Sequence, residues 1–155
     1  MRHILIAAIL CVATSAWAQQ SALELLRQDL KTQKVALLTA SLPLTSKEAD
    51  VFWPIYRDYS NELAKIYDRR IAVLKTVFEK YDTMDAKTAE ELVEKSFSIA
   101  EDKTSLLEKT YKKVSKQLGP VTAARFMQVE NQILLIVEAQ VIDQVPLIKT
   151  PAEKK

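Results

Sequence analysis

The sequence is poor in glycine, cysteine and histidine, with one residue of each type among 155. Tight hairpin turns, nucleotide-binding loops and nucleophile elbows depend on the freedom of glycine at positive φ. Gly119 alone cannot supply several such loops. The scarcity of glycine therefore predicts an all-α protein whose helices are joined by few turns.

The first 18 residues are typical of a secretory signal peptide. Arg2 and His3 begin it, residues 4–12 form an apolar stretch, and Ala16-Trp17-Ala18 matches an A-x-A cleavage site. A membrane-spanning helix needs about 20 apolar residues, and this stretch is roughly half as long. We expect cleavage after Ala18, export to the periplasm and no stable membrane insertion of the product. An uncleaved anchor is the alternative.

Cleavage would remove His3 and Cys11, the only histidine and the only cysteine. Without imidazole and thiol groups, the product cannot form disulfide bonds, Ser-His or Cys-His catalytic pairs, or zinc and copper sites with their usual ligands. Carboxylates remain, and those within residues 90–102 are spaced as on a solvated helix face. We therefore expect no cofactor, no metal and no enzymatic activity. A glycan hydrolase that uses only carboxylates is the remaining enzyme class, and it needs two carboxyl groups roughly 5 to 9.5 Å apart.

Positive and negative charges are nearly balanced, with 22 Lys and Arg against 20 Asp and Glu. The basic residues occur in short pairs, such as Arg69-Arg70 and Lys112-Lys113, and form no long run. Proteins that bind nucleic acid usually carry a basic patch or stripe, so nucleic acid is not an expected partner.

Apolar periodicity predicts one helical domain, residues 19–145, followed by a flexible tail, residues 146–155. The predicted helices are residues 22–40, 46–81, 86–118 and 120–144. From residue 46 to 81 the second helix would extend about 54 Å, whereas a compact domain of this size has a radius of gyration of about 14 Å. This conflict predicts an elongated or curved molecule. Pro54 cannot donate a backbone hydrogen bond, so we expect a kink in the second helix.

The ends of the predicted helices carry local signals. Capping boxes begin at Ser21 and at Thr45, each with a glutamate three residues later. Asp85 or Thr83 is the expected cap of the third helix. Gly119-Pro120 predicts a glycine stop followed by a proline in the first turn of the fourth helix.

Two apolar patterns bear on how the helices pack. The third helix carries a stripe at three- and four-residue spacing, which consists of Val93, Phe97, Ala100, Thr104, Leu107, Tyr111, Val114 and Leu118. Residues 133–137 are five consecutive apolar residues, which surround a helix and do not form a stripe. Such a segment is either central in the bundle or buried by a second subunit.

Arg70 and Glu130 occupy positions where the helical pattern predicts apolar residues. One interpretation is a partly buried ion pair that fixes the register of two helices. The other places Arg70, with Arg69, on a surface that binds client proteins. Trp53 is a further candidate for a binding face or a dimer seam, because its neighbours already occupy the inward row of the helix. The candidate protein-binding residues are therefore Trp53, Arg69 and Arg70.

Several segments resemble one family of exported helical proteins. Residues 44–48, Leu-Thr-Ser-Lys-Glu, resemble the L-T-x-x-Q motif of the Spy/CpxP family, with Glu48 in place of Gln. Residues 52–56, Phe-Trp-Pro-Ile-Tyr, are similar to a subgroup that carries F-W-P-x-Y. Residues 123–131 and 144–148 are similar to the same subgroup and occur in the same order.

The resemblance implies a four-helix, cradle-like subunit that forms an antiparallel homodimer. It implies ATP-independent chaperone activity or a role in envelope-stress sensing. A structural role falls to the matching residues Thr45, Glu48, Pro54, Arg125 and Glu130. Metal-responsive relatives rely on His and Cys, which the exported product lacks, so zinc sensing is not expected.

Two binding functions follow from these patterns. The first is a periplasmic chaperone that holds unfolded envelope proteins on a dimeric helical surface. The second is a regulatory partner of one specific membrane protein, such as a sensor kinase or an anti-sigma factor. The expected partners are therefore a second copy of the chain and either many unfolded envelope proteins or one specific one.

Overall fold

The computed structural model describes residues 32–142 and 145–153, and within them all regular secondary structure is helical. This confirms the all-α prediction. The helices are α1 (residues 32–41), α2 (Ser46–Glu79), α3 (Ala86–Leu118) and α4 (Pro120–Ile142). The predicted signal peptide, the capping box at Ser21 and the first part of the first predicted helix lie outside the described residues.

The chain divides into two compact units, with the boundary between Ser41 and Leu42. In the first unit, α1 is helical to residue 41, one residue beyond the predicted end. The hydroxyl of Thr39 donates to the carbonyl oxygen of Val35 over 2.8 Å, as is common for threonine within a helix. The second unit contains α2, α3 and α4.

Helix α2 begins with the capping box that the sequence predicts. The backbone N–H of Thr45 donates to the Glu48 carboxylate over 2.8 Å, and the N–H of Glu48 donates to the Thr45 hydroxyl over 3.4 Å. Each residue thereby satisfies a donor that the helix start leaves free. The helix contains 34 residues, includes Pro54, and ends at Glu79, two residues before the predicted end.

The turns around α3 also match their local signals. The Asp85 carboxylate accepts from the N–H of Thr88 over 2.8 Å, which makes Asp85, and not Thr83, the cap of α3. The helix ends at Leu118, and Gly119 follows with a φ of 85° and a ψ of 159°. Residues with a side chain rarely adopt this conformation, so the only glycine of the chain lies where glycine is required. Pro120 then opens α4, as predicted.

In the second unit, α3 packs closely against both α2 and α4. Residue pairs in contact show that α3 runs antiparallel to both neighbours, and that α2 and α4 run in the same direction. The pairs are Arg69–Asp102 and Lys103–Glu138 for the antiparallel contacts, and Phe52–Phe126 and Arg70–Glu138 for the parallel contact. The chain order up, down, up follows from the short turns at residues 80–85 and at Gly119.

The buried side chains of these helices repeat at three- and four-residue spacing, as expected for helices that share a core. On α2 they are Phe52, Tyr56, Tyr59, Leu63, Ile66 and Val77. On α3 they are Leu92, Leu107, Thr110 and Val114, and on α4 Ala123, Phe126, Glu130, Ile133 and Leu134. Phe126 and Glu130 are fully buried.

A small apolar cluster closes the end of the bundle where α2 turns into α3. It is formed by Val77, Met84 and Leu92, and the half-buried Val145 packs against it. The Lys149 ammonium donates to the Asp82 carboxylate and lies 4.5 Å from the centre of the Tyr81 ring. Residues that follow α4, including part of the segment predicted to be a flexible tail, therefore contact the turn between α2 and α3.

The two apolar patterns of the sequence divide between buried and exposed positions. Leu107 and Val114 of the predicted α3 stripe are buried, whereas Val93 and Phe97 are exposed. The apolar side of α3 is thus wider than the part of it that its two neighbours cover. Within residues 133–137, Ile133 and Leu134 are buried and the next two residues are exposed.

Candidate protein-binding surfaces

An aromatic cluster joins the first half of α2 to α4. The Phe52 and Phe126 rings meet edge to face with centres 5.5 Å apart, and the Tyr59 ring lies 6.0 Å from Phe126. The Tyr59 hydroxyl donates to the buried Glu130 carboxylate over 2.9 Å. Burial, and then the negative charge of Glu130, raise the pKa of the Tyr59 hydroxyl well above its usual value.

Arg70 does not pair with Glu130, which was one interpretation of the sequence. Its guanidinium lies 3.3 Å from the carboxylate of Glu138, two helical turns farther along α4. Lys103 of α3 donates to the same carboxylate over 2.6 Å. The half-buried Glu138 carboxylate of α4 thus pairs with Arg70 of α2 and with Lys103 of α3, so this contact joins all three helices. Burial raises the pKa of the neighbouring Tyr67 to about 12.

Arg69 points to a different part of the surface from Arg70, because adjacent helical residues differ by about 100° around the axis. It contacts Asp102 of α3 over 2.5 Å, and both side chains are about half exposed. An exposed ion pair of this kind contributes at most about 1 kcal/mol to stability. Arg69 therefore lies at the surface, and its ion pair with Asp102 contributes little to stability.

Trp53 lies apart from the two arginines. It is half-buried, and its ring meets Phe52 and Tyr56 edge to face with centres 5.1 and 5.8 Å apart. Sixteen residues separate it from Arg69, which corresponds to about 24 Å along α2. The structure therefore does not bring the three predicted binding residues into one site.

The motif residues lie at the end of the α2–α4 contact where both helices begin. Thr45 and Glu48 form the cap of α2, and Pro54 is exposed on the third turn of that helix. Arg125 is exposed on α4, whereas Glu130 is buried one turn later. Hydrogen bonds from the Thr45 side chain and backbone lower the pKa of the Glu48 carboxyl.

An open groove of about 880 Å³ runs between α2 and α3. It is lined by α2 residues between Ile55 and Arg69 and by α3 residues between Asp102 and Lys113, and we call it the α2/α3 groove. Beyond Arg69 the same seam continues into a smaller hollow of about 300 Å³. Sequence reasoning missed the groove, although the spacing of Lys109 and Lys113 already placed both lysines on one face of α3.

Four exposed apolar residues lie on the first half of α3 and the second half of α4, which the Lys103–Glu138 pair places side by side, and two of them point away from α2. Val93 and Phe97 belong to α3, and Leu135 and Ile142 to α4. Val93 lies nine residues, or two and a half turns, before Asp102, which contacts Arg69 of α2. Val93 is therefore on the opposite side of α3 from that contact. Leu135 likewise lies nine residues after Phe126, which contacts α2, and is therefore on the opposite side of α4 from that contact. We call these four residues the outer α3/α4 face.

The exposure of the outer α3/α4 face is large for such side chains. Phe97 is 72% exposed, Leu135 69%, Ile142 63% and Val93 51%. Single exposed apolar residues are common, but a group of large ones on one face marks an interaction surface. The outer α3/α4 face and the α2/α3 groove are therefore the two candidate binding surfaces.

Comparison with known proteins finds no similar family model, no similar curated protein and no similar solved structure. Among residues 32–142 and 145–153, no group of three or more acidic residues, histidines or cysteines is arranged to hold a metal ion. None of the helices, as far as the structure describes them, is both long and apolar enough to cross a membrane.

Proposed function

We propose that the chain is an exported, ATP-independent chaperone-like protein of the periplasm that binds unfolded envelope proteins through a dimeric helical surface. The resemblance of residues 44–48 and 52–56 to the Spy/CpxP family supports this role. So does the signal-like pattern of the first 18 residues.

The observation that carries the proposal is the outer α3/α4 face. An unfolded client presents apolar side chains, and a protein without nucleotide-driven motion holds them by burying them against its own apolar surface. Val93, Phe97, Leu135 and Ile142 provide such a surface on two rigid helices. Binding rather than catalysis is the proposed activity.

The direct test is suppression of the aggregation of a thermally unfolding enzyme, followed by light scattering. We expect the purified protein to suppress scattering at a few-fold molar excess. The double substitution Phe97→Ser and Leu135→Ser removes the two most exposed side chains of the outer α3/α4 face, and it should abolish most of the suppression.

Val121→Ser is the matched control. Val121 is 82% exposed, at the opposite end of α4 from Ile142, so its loss should leave the suppression unchanged. The proposal fails if the unmodified protein has no effect at several-fold excess. It also fails if the control and the double substitution reduce suppression equally.

The α2/α3 groove favours a second candidate function, that of a regulatory partner of one membrane protein. A groove with defined walls and charges suits one recurring sequence better than many unfolded clients. Affinity capture from a membrane extract distinguishes the two functions. One dominant partner would indicate regulation, and many partners at low occupancy would indicate chaperoning.

A further inference from the structure

We infer that the α2/α3 groove binds an acidic amphipathic helix of a partner protein. The inference rests on the proposed function in one respect, namely that the chain works by binding other proteins. It goes further in naming the site and the chemistry of the bound segment.

The dimensions of the groove fit a helical segment. Its α2 wall extends from Ile55 to Arg69, which is about 21 Å or roughly four helical turns. Two antiparallel helices form its walls, and a third helix can pack along such a seam with its side chains between theirs. Among the described residues no strand is present to which an extended peptide can add.

Apolar and small side chains form the floor of the groove. Tyr59 and Ile66 are buried on the α2 side, and Thr110 is buried on the α3 side. Ile55 and Leu106 are half-buried and extend the floor. These residues recur at spacings of four and seven, and the half-buried Ile55 and Leu106 leave apolar surface that a partner helix with apolar residues at matching intervals can cover.

Charge decides which amphipathic helix fits. The lining includes five cations and three carboxylates. The Glu62 carboxylate is 2.6 Å from Lys65 and the Asp102 carboxylate is 2.5 Å from Arg69, so two of the three carboxylates are already neutralised. The third carboxylate, Asp58, lies on the α2 wall, so the excess positive charge lies on the α3 rim.

Lys109 and Lys113 carry that excess. In the described part of the chain, no carboxylate lies within 4 Å of either ammonium group, whereas the adjacent Lys112 pairs with Glu108. The two lysines are four residues apart on one helix face, where like charges repel each other slightly. Carboxylates from a partner helix would relieve this repulsion. An acidic partner is thus preferred over a basic one.

The test uses two fluorescein-labelled synthetic helices of about 14 residues, which match the groove length. Both have leucines at positions i, i+4, i+7 and i+11. One has glutamates at the flanking positions and the other has lysines there. Fluorescence anisotropy at low ionic strength should show about tenfold tighter binding of the glutamate helix, because two exposed ion pairs together contribute on this scale.

The charge-reversed protein Lys109→Glu/Lys113→Glu should reverse this preference. Lys47→Glu/Lys80→Glu is the matched control, since both lysines are exposed and lie outside the groove. It should keep the preference of the unmodified protein. Circular dichroism melting curves of both double variants verify that they are folded.

Equal affinity for the two helices, or an unchanged preference after reversal at Lys109 and Lys113, overturns the inference. The inference is also overturned if palmitate displaces the bound glutamate helix and the substitutions Lys109→Glu/Lys113→Glu block this displacement. That result would indicate an acyl-chain ligand. The aggregation assay separates this result from the proposed function. If the protein suppresses aggregation but binds the glutamate and lysine helices equally well, the proposed chaperone role stands and the inference about the α2/α3 groove is wrong.

Discussion

At the scale of single residues, Glu130 has the most unusual environment. A carboxylate buried in an aromatic cluster is costly unless it accepts hydrogen bonds, and the Tyr59 hydroxyl supplies one at 2.9 Å. The pattern of α4 marked Glu130 as a polar residue in an apolar row. It could not identify the partner, because Tyr59 lies 71 positions earlier in the sequence.

We expect Tyr59→Phe to lower the free energy of unfolding by about 1–3 kcal/mol, because it removes a donor from a buried carboxylate. Urea unfolding monitored by circular dichroism measures the change. In a double-mutant cycle, Glu130→Gln should reduce the effect of Tyr59→Phe, since the charge that needs the donor is gone. Strict additivity of the two substitutions would contradict the contact.

At the scale of helices, the residues that begin and end each helix could be predicted from the sequence, but the contacts between helices could not. Caps and stops depend on residues within one turn, so Thr45, Asp85 and Gly119 could be identified from the sequence. The partner of Arg70 depends on how α2 and α4 are aligned, and a shift of two turns separates Glu130 from Glu138. The groove likewise exists only once two helices are placed side by side.

The α2 cap gives a pH-dependent prediction. Its hydrogen bonds to Thr45 lower the pKa of Glu48 from the ordinary value of 4.5. A carboxyl whose pKa is lower in the folded state adds stability that is present above the unfolded pKa. That stability is lost as the pH falls through the lower, folded pKa.

The stability difference between the unmodified protein and Glu48→Gln should therefore be constant above pH 4.5 to 5 and shrink below it. Urea unfolding at a series of pH values measures this difference. Glu62→Gln is a suitable control, since Glu62 is exposed and paired within α2 but does not cap it. A difference that grows on acidification would contradict the cap assignment.

At the scale of the whole molecule, the apolar stripe of α3 shows why the surface could not be fully predicted from the sequence. Val93 and Phe97 belong to a continuous apolar pattern with Leu107 and Val114, but only the latter two are buried. Periodicity reports how wide an apolar face is. It does not report how much of that face the same chain covers, because coverage depends on the number of neighbouring helices.

We propose that a second copy of the chain covers this face when no client is bound, and that clients displace it there. We expect a dimer in sedimentation equilibrium. Phe97→Asp should weaken it by about thirtyfold or more, because charge replaces the most exposed apolar side chain of the proposed interface.

Val121→Asp provides the comparison, because it introduces the same charge at a still more exposed residue outside the outer α3/α4 face. Its dimer should dissociate at the same concentration as that of the unmodified protein. A chain that stays monomeric at concentrations of about 100 μM would rule out a stable dimer while leaving the client-binding assay to be judged separately.

The aromatic cluster also has a spectroscopic consequence. Trp53 is the one tryptophan outside the first 18 residues, and its ring lies against Phe52 and Tyr56. In a product cleaved after Ala18, as the sequence predicts, all indole emission would originate at the start of α2, about 24 Å from Arg69 along the helix. The molecule carries a native optical reporter of one end of its bundle, so indole emission follows the melting of that end separately from the average helix content.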